Sequence, residues 1–365
     1  MNSLVIAPQW IGDAVMSEPL LRALSERGER LSVLALPWVA PVYRAMPQVA
    51  DVIEAPFKHG GLQWAGRRAL AQTLKGRFEA AYVLPNSLKS ALLPWMAGIP
   101  RRTGRLGESR YGLINERLPN PARGERPPMV DFYLALAAGP SHATSGGAAP
   151  GGATSNQPEP RLQIEARVAL EVMQRHGLAA GGYGVFAPGA EFGPAKRWPP
   201  KHYADLAARL GQTVVLLGSP KEAQDAQAIA AAVPRGAARV VNLIGQTSLV
   251  EAFALIAQAR WMVSNDSGLM HVAAALRVPQ VAVFGSSSPL HTPPLSPMAR
   301  VLWLKNDPEY RPALACAPCF ERRCPLGHLR CLNDLLPERV ATELQSLTGQ
   351  VSAHGPCENA PDASG

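Results

Sequence analysis

The stretch LVIAPQWIGDAVMSEPLLRALSERGERLSVLAL at residues 4–36 decides the fold. It opens with the apolar run LVIAP at 4–8, continues with an amphipathic segment over 14–27 and closes with a second apolar run, LSVLAL at 31–36. This order of strand, helix and strand is typical of a βαβ unit, which builds a parallel sheet. Because Leu4, Val5 and Ile6 are consecutive and apolar, we expect the first strand to be buried on both faces.

The same rhythm continues along most of the chain. Further strands are predicted at 52–56 and 80–85, with helices over about 62–77 and from near Ser87. After residue 160 the pattern restarts with a helix over 166–177 and a strand at 183–188. Predicted strands and helices then alternate as far as the apolar run VAVFG at 281–285. We therefore predict an α/β protein with two Rossmann-like, doubly wound domains, at 1–160 and 161–349.

Two segments lack this periodicity. Residues 138–160, AGPSHATSGGAAPGGATSNQPEP, consist mostly of Gly, Pro, Ala and Ser, which favours a linker or an insertion over a packed core. Residues 350–365 have no hydrophobic period, and we expect them to form a disordered tail.

Composition narrows the possible partners and location. The chain has 365 residues, a formal net charge of +8 and a pI near 9.5, which favour polyanionic partners without choosing among them. Every hydrophobic run is interrupted well before the roughly 20 apolar residues that a membrane-spanning helix needs. The N-terminal sequence has no basic lead-in and no long apolar segment of a secretory signal, so we predict a cytoplasmic protein.

Four of the five cysteines are close together in the sequence, at Cys316, Cys319, Cys324 and Cys331, while Cys357 lies alone in the tail. In a chain without a secretory signal, such a cluster favours reduced thiols or a metal site over disulfides. The C-x-x-C start resembles half of a zinc site, but the later spacings do not repeat it. Both a thiol-rich packed loop and a zinc site stay open, and we predict no metal.

The loop after the first strand contains Gln9, Trp10, Gly12 and Asp13. Asp13 is either the N-cap of the following helix or a carboxylate that takes a proton from an attacking hydroxyl. The loop lacks the G-x-G-x-x-G pattern, which argues against a dinucleotide site.

Three later loops also follow strands. The loop at 188–199 places Lys196 and Arg197 among Gly and Pro, which suits a phosphate contact but also an ordinary basic loop with Trp198 packed behind it. The segment SNDSGLMH at 264–271 begins a helix, whose unpaired N–H groups suit a diphosphate, although Asp266 or Ser267 could simply cap it. The third loop, at 284–289, contains Ser286 and two more serines that could donate to phosphate oxygens.

These segments together resemble a known family. The resemblance is carried by VIAPQWIGDAVMSEPLLRAL at 5–24, VSNDSGLMHVAAAL at 263–276, VAVFGSSSPLHTPPLSP at 281–297 and CAPCFERRCPLGHLRCLNDLLPERV at 316–340. They are similar to the lipopolysaccharide heptosyltransferases of glycosyltransferase family 9, and the Cys-rich block resembles the type II members. The resemblance covers both predicted domains. It implies the GT-B architecture, with an acceptor-binding N-terminal domain and an ADP-heptose-binding C-terminal domain facing a central cleft.

The resemblance also implies a reaction and a set of site residues. The reaction is inverting transfer of L-glycero-D-manno-heptose from ADP-heptose to the first heptose of the lipid A-linked inner core, without a cofactor. Asp13 matches the catalytic base and Lys196 the phosphate-contacting lysine. The expected donor-binding residues are Lys196, Glu222, Asp266, Ser267, Gly268, His271 and Ser286. The chain departs from the family at Gly189 and Ala190, where members often have small hydroxyl residues.

Two alternatives remain at this point. One is another GT-B transferase or a sugar-nucleotide epimerase, which would use similar diphosphate loops. The other is a non-enzymatic, basic nucleic-acid-binding α/β protein, which explains the pI but lacks regularly spaced stacking aromatics. We predict no nucleic-acid partner. We expect transient, salt-sensitive docking on the anionic inner face of the inner membrane, through the N-terminal arginines Arg67, Arg68, Arg101, Arg102 and Arg105.

Overall fold

The N-terminal half of the chain forms a parallel sheet of six strands. The computed structural model describes residues 1–57, 61–122, 124–139 and 157–354. The strands of the first sheet are β1 (Asn2–Ile6), β2 (Arg30–Ala35), β3 (Val49–Glu54), β4 (Ala80–Val83), β5 (Arg101–Arg105) and β6 (Glu116–Leu118). Their spatial order is β3-β2-β1-β4-β5-β6, which is that of a doubly wound Rossmann-like domain.

The C-terminal half repeats this arrangement. Its strands are β7 (Tyr183–Ala187), β8 (Thr213–Leu216), β9 (Val240–Asn242), β10 (Trp261–Asn265), β11 (Gln280–Val283) and β12 (Ala299–Leu302). They lie in the order β12-β11-β10-β7-β8-β9, so this sheet has the same winding as the first when counted from its own first strand. The predicted α/β class and the two doubly wound domains are confirmed.

Helices connect the strands in both halves. The first domain contains α1 (Ile11–Met16), α2 (Glu18–Glu26), α3 (Ala40–Arg44), α4 (Trp64–Leu74), α5 (Leu88–Met96) and α6 (Met129–Ala138). The second contains α7 (Ala166–His176), α8 (Pro200–Leu210), α9 (Ala223–Ala232), α10 (Leu249–Ala257), α11 (Gly268–Ala275), α12 (Arg330–Asn333) and α13 (Pro337–His354), with short 3-10 turns at Pro194–Lys196, Pro220–Glu222 and Leu304–Asn306. None of the helices in the described part of the chain is long and apolar enough to cross a bilayer.

The strand β1 forms the centre of the first sheet. Leu4 and Val5 are fully buried, as the consecutive apolar residues predict, because helices cover both faces of a parallel sheet. Val5 is in register with Val33 of β2 and with Tyr82 of β4. The sheet order reverses between β1 and β4, and in the second domain between β7 and β10. Ligands of such sheets bind beyond the carboxyl ends of the strands at these reversal points.

The two domains touch through the first turns of α1 and α11. A Cβ atom added at Gly12 of α1 would lie 2.8 Å from the His271 ring, and one added at Gly268 would lie 2.9 Å from the Cβ of Ile11. Only glycine allows the two helices to approach this closely. The contact therefore holds the segment after β1 against the segment after β10.

Some predicted boundaries differ from the structure. The helix predicted over 14–27 is two helices, which meet at Ser17, and Pro19 in the first turn of α2 has no N–H to continue the first helix. The last helix runs to His354, beyond the domain end predicted at Gly349. Residues 140–156 of the predicted linker and 355–365 of the predicted tail, including Cys357, lie outside the described residues.

Candidate active site

Asp13 lies in the first turn of α1, directly after the central strand β1. Trp10 is the N-cap residue and Asp13 is the third residue of the helix, so the N-cap interpretation of Asp13 is wrong. A carboxylate in this position interacts favourably with the positive end of the helix dipole. Asp13 also lines the cavity at this end of the first sheet, where a substrate can reach its carboxylate.

At the reversal point of the second sheet, a buried ion pair lies opposite Asp13. Lys196, in the 3-10 turn after β7, places its Nζ 2.5 Å from Oδ2 of Asp266, which follows β10. The Asp266 side chain is 6% exposed and that of Lys196 is 19% exposed, so water screens the pair weakly. Lys196 also lies 5.3 Å from the centre of the Phe192 ring.

Electrostatics connects this pair to Asp13. The pKa of Asp13 is raised from 3.8 to about 6, with burial as the largest cause; the negative charge of Asp266 adds to this rise, and Lys196 opposes it. A carboxylate with a pKa near 6 is still mostly ionised at neutral pH and is a stronger base than an ordinary aspartate. Asp13, Lys196 and Asp266 thus form one interacting group across the domain junction, although they come from three separate strand ends.

Asn265, the last residue of β10, organises the loop that carries Lys196. Its amide nitrogen donates to the carbonyl of Pro188 at 2.5 Å, and its Oδ1 accepts from the backbone N–H of Trp198 at 3.0 Å. The same oxygen accepts from the Tyr203 hydroxyl at 3.2 Å. Trp198 is buried behind the loop, as one of the sequence interpretations predicted. We assigned no role to Asn265 from the sequence, because the groups that it bonds are 62 to 77 residues away.

Four serine hydroxyls in the segments after β10 and β11 and at the end of β10 are buried without a hydrogen-bond partner among the described residues. They belong to Ser264, Ser267, Ser286 and Ser287. Ser267 is the N-cap residue of α11, yet its side chain makes no capping bond, so the alternative that it simply caps the helix is not supported. Buried hydroxyls without partners are costly, and a ligand with several acceptor oxygens would satisfy them. Together with the free N–H groups of the helix start, they suit a diphosphate.

His271 is buried one turn into α11 and packs against Gly12. Its pKa is lowered to about 4, chiefly by burial; Asp266 opposes this shift and Lys196 adds to it. The imidazole is therefore neutral at physiological pH. Its position at the domain junction gives it a packing role, and contact with the donor stays a prediction.

Glu222 is buried at the 3-10 turn after β8. Its carboxylate accepts from the backbone N–H and the hydroxyl of Ser219, forming a capping box. A Cβ at Gly189 would lie 2.6 Å from the Glu222 carboxyl carbon, so the departure from the family pattern at this position makes room for Glu222. The structure places Glu222 beside the loop after β7, and its predicted ribose contact stays a prediction.

A cavity of about 650 Å³ opens at the reversal point of the first sheet. Its walls come from the loops after β1 and β4 and from α6, and Asp13 lies in its lining. Polar groups at the wall include Gln9, Asn86, Ser87 and Glu108. A cavity of this size suits a small ligand such as one or two sugar rings.

The four clustered cysteines surround a small separate cavity and are free thiols. Burial and the neighbouring thiols Cys319, Cys324 and Cys316 raise the pKa of Cys331 to about 11. Within the described ranges, no set of three or more His, Cys, Asp or Glu side chains is arranged to hold a metal ion.

The two doubly wound domains, which meet at a carboxylate, a lysine and a helix start, have the GT-B architecture. Residues 67–330 match the family model for glycosyltransferase family 9, described as heptosyltransferase, and the chain belongs to this family.

Relatives of this chain match it over nearly its whole length. It is 42% identical to lipopolysaccharide heptosyltransferase 2 of Escherichia coli K12, over 97% of this chain and 100% of the relative. It is 37% identical to lipooligosaccharide heptosyltransferase 2 of Haemophilus ducreyi, over 95% and 99% of the two chains. The structure of ADP-heptose LPS heptosyltransferase II from E. coli superimposes with a TM-score of 0.81 at 40% identity, covering 96% of this chain and 99% of that one. Family membership excludes the non-enzymatic alternative.

Proposed function

We propose that this enzyme transfers L-glycero-D-manno-heptose from ADP-heptose to the first heptose of the lipopolysaccharide inner core, with inversion at the anomeric carbon. The observation that carries the proposal is the group formed by Asp13, Lys196 and Asp266, which joins the acceptor cavity of one domain to the helix start of the other. ADP-heptose and lipopolysaccharide appear in the names of the similar heptosyltransferases, which supports this choice of donor and acceptor.

The proposed reaction is a single displacement. The acceptor hydroxyl gives its proton to the carboxylate of Asp13 as its oxygen bonds to the anomeric carbon. The bond from that carbon to the phosphate oxygen breaks at the same time, and ADP leaves with the electron pair. Lys196 and the N–H groups at the start of α11 offset the negative charge that develops on the diphosphate.

The donor-binding group comprises Lys196, Asp266, Ser267, Gly268 and Ser286, with Glu222 and His271 close behind it. Asp266 cannot accept the diphosphate directly, because both are anionic. Its part in this proposal is to hold Lys196 in place until the donor arrives. The partnerless hydroxyls of Ser267 and Ser286 support the assignment.

The proposed place of action is the cytoplasmic face of the inner membrane, where a lipid-linked acceptor would be presented. Most of the N-terminal arginines that were expected to contact the membrane are instead engaged inside the domain. Arg67 donates to the carbonyls of Leu62 and Lys89, and Arg102 and Arg105 also donate to backbone carbonyls. Arg68 is the exposed member of the set.

A transfer assay tests the proposal. ADP-heptose and a UDP-sugar are offered separately with lipid-linked acceptors that carry either no heptose or one. We expect product only with ADP-heptose and the acceptor that carries one heptose, and Asp13→Asn is the matched inactive enzyme. Transfer to the acceptor without heptose would assign the enzyme to the preceding step, and transfer from the UDP-sugar would contradict the donor.

A further inference from the structure

Large apolar side chains are exposed around the mouth of the acceptor cavity. We call this set the apolar rim. It comprises Trp10 (51% exposed), Trp38 (46%), Leu62 (44%), Trp64 (49%) and Leu88 (38%). Single exposed apolar residues are normal on protein surfaces, but a group around one opening marks an interaction site.

Contacts between the loops show that the first part of the rim belongs to one opening. Trp10 itself lines the cavity, and its neighbour Gln9 accepts a hydrogen bond from Nε1 of Trp38 at 3.0 Å. The Trp38 side chain is therefore bonded to the same loop after β1 that carries Trp10.

The second part of the rim lies where α4 and α5 begin. Arg67 connects the two helix starts, because its Nε donates to the Leu62 carbonyl at 2.8 Å and its Nη1 donates to the Lys89 carbonyl at 3.0 Å. The backbone N–H of Leu88 donates to Glu108, another residue of the cavity wall, at 2.7 Å. The segments that carry Leu62, Trp64 and Leu88 thus lie at the same cavity, whose wall includes their neighbours Gly61, Ser87 and Lys89.

The chemistry of the rim fits a lipid surface. Tryptophan has an apolar body and one polar N–H, and it prefers the boundary between lipid and water. The surrounding domain is basic, since residues 1–138 contain 17 Lys and Arg against 11 Asp and Glu. Arg68 is exposed one helical turn after Trp64. Apolar side chains among positive charges complement a bilayer with anionic headgroups.

We propose that the apolar rim docks on the surface of an anionic phospholipid bilayer, so that a lipid-anchored acceptor enters the cavity directly from the membrane. The proposal rests on the proposed function for the choice of a lipid-linked acceptor. Docking makes the rim a membrane contact, whereas stacking of the same side chains on acceptor sugar rings would make it part of the substrate site. These two roles give different results in experiment.

Vesicle flotation tests the docking without any substrate. The double variant Leu62→Ala/Trp64→Ala is compared with wild type and with Trp95→Ala, whose side chain is 46% exposed at the other end of α5. The vesicles contain phosphatidylethanolamine and phosphatidylglycerol. We expect wild type and Trp95→Ala to float together with the vesicles, and the double variant to lose about fivefold or more of its bound fraction. Equal flotation of all three proteins, or no flotation of wild type, overturns the proposal.

Transfer to two forms of the acceptor separates docking from sugar contact. We expect the double variant to lose transfer to an acceptor embedded in the vesicles, while transfer to the delipidated acceptor oligosaccharide stays at the wild-type level. Unchanged flotation with a raised KM for the delipidated acceptor would show that the rim contacts sugar and would overturn docking. Because flotation requires neither donor nor acceptor, its result stands even if the heptosyl-transfer proposal fails. Thermal unfolding of each variant checks that the domain remains folded.

Discussion

The ammonium group of Lys196 lies 2.5 Å from the carboxylate of Asp266, and both charges act on Asp13 in the other domain. In the proposed reaction, an incoming diphosphate would share Lys196 with Asp266. Donor binding would then change the charge around Asp13 at the step in which the proposed base takes a proton. Each member of this group leads to a separate prediction.

Replacing Asp13 by Asn removes the proposed base with almost no change in shape. Transfer should fall by about 100-fold or more, as expected for a lost general base. ADP affinity, measured by calorimetry, should stay near that of wild type because the donor binds in the other domain. Activity near the wild-type level would remove Asp13 from the mechanism.

Replacing Lys196 by Ala should affect both donor binding and turnover. The lysine is proposed to contact the donor phosphates and to stabilise the departing ADP, so ADP affinity and kcat should both decrease. Arg197→Ala is a matched control, since Arg197 pairs with Asp225 outside the proposed group. If Lys196→Ala changes neither ADP affinity nor kcat, Lys196 is only the structural partner of Asp266.

The pH dependence of kcat/KM should shift in opposite directions in two variants. Asp266 raises the pKa of Asp13, so Asp266→Asn should lower this pKa and move the acid limb of the profile to lower pH. Lys196 lowers the pKa of Asp13, so the residual activity of Lys196→Ala should show an acid limb at higher pH. Profiles that shift the same way, or not at all, would show that Asp13 is not the group that titrates.

Asp13 should also reduce the stability of the protein above pH 6. Its pKa is about 6 in the folded protein against 3.8 in the unfolded chain, so the folded state holds the proton more tightly. The free energy of unfolding therefore falls as pH rises from about 4 to about 6 and then levels off. Asp13→Asn should be more stable than wild type at neutral pH, by up to about 3 kcal/mol. Urea denaturation of both proteins at about pH 4 and about pH 7.5 measures their difference in the free energy of unfolding. The same difference at both pH values would contradict this prediction.

The glycine contact at the domain junction gives a steric prediction. In Gly12→Ala the new Cβ would lie 2.8 Å from the His271 ring, so the helices must separate or the ring must move. We expect a loss of about 1–3 kcal/mol in stability and a marked loss of transfer activity. Gly112→Ala is the control, because a Cβ there meets nothing within 4 Å. If the two variants have the same stability and the same transfer activity, neither property depends on the close approach at Gly12.

The repeated strand and helix pattern predicted the fold because hydrophobic periodicity is local. The run at 4–8 appears as β1, and the restart after residue 160 appears as a second sheet of the same winding. The loops that follow strands also contain the candidate residues, since parallel sheets place such loops at one edge. The break at Ser17 was missed because it depends on one proline within an otherwise continuous amphipathic pattern.

Interactions between distant segments could not be predicted in the same way. Asn265 holds the loop of Lys196 through partners more than 60 residues away, and no local pattern marks such a residue. Arg67 and Arg102 look like surface charges in the sequence, yet they bond backbone carbonyls that only the folded domain brings near. The raised pKa of Asp13 likewise arises from burial and from charges in the second domain.

The contacts of Gly12 with His271 and of Gly268 with Ile11 are placed to act as a pivot between the two domains. If one domain rotates about this point, each residue travels in proportion to its distance from it. Asp13 follows Gly12 directly, so its displacement would be small. Trp64 and Leu88 at the cavity mouth would be displaced further. Opening would then exchange acceptors at the rim while the base keeps its alignment with the donor helix.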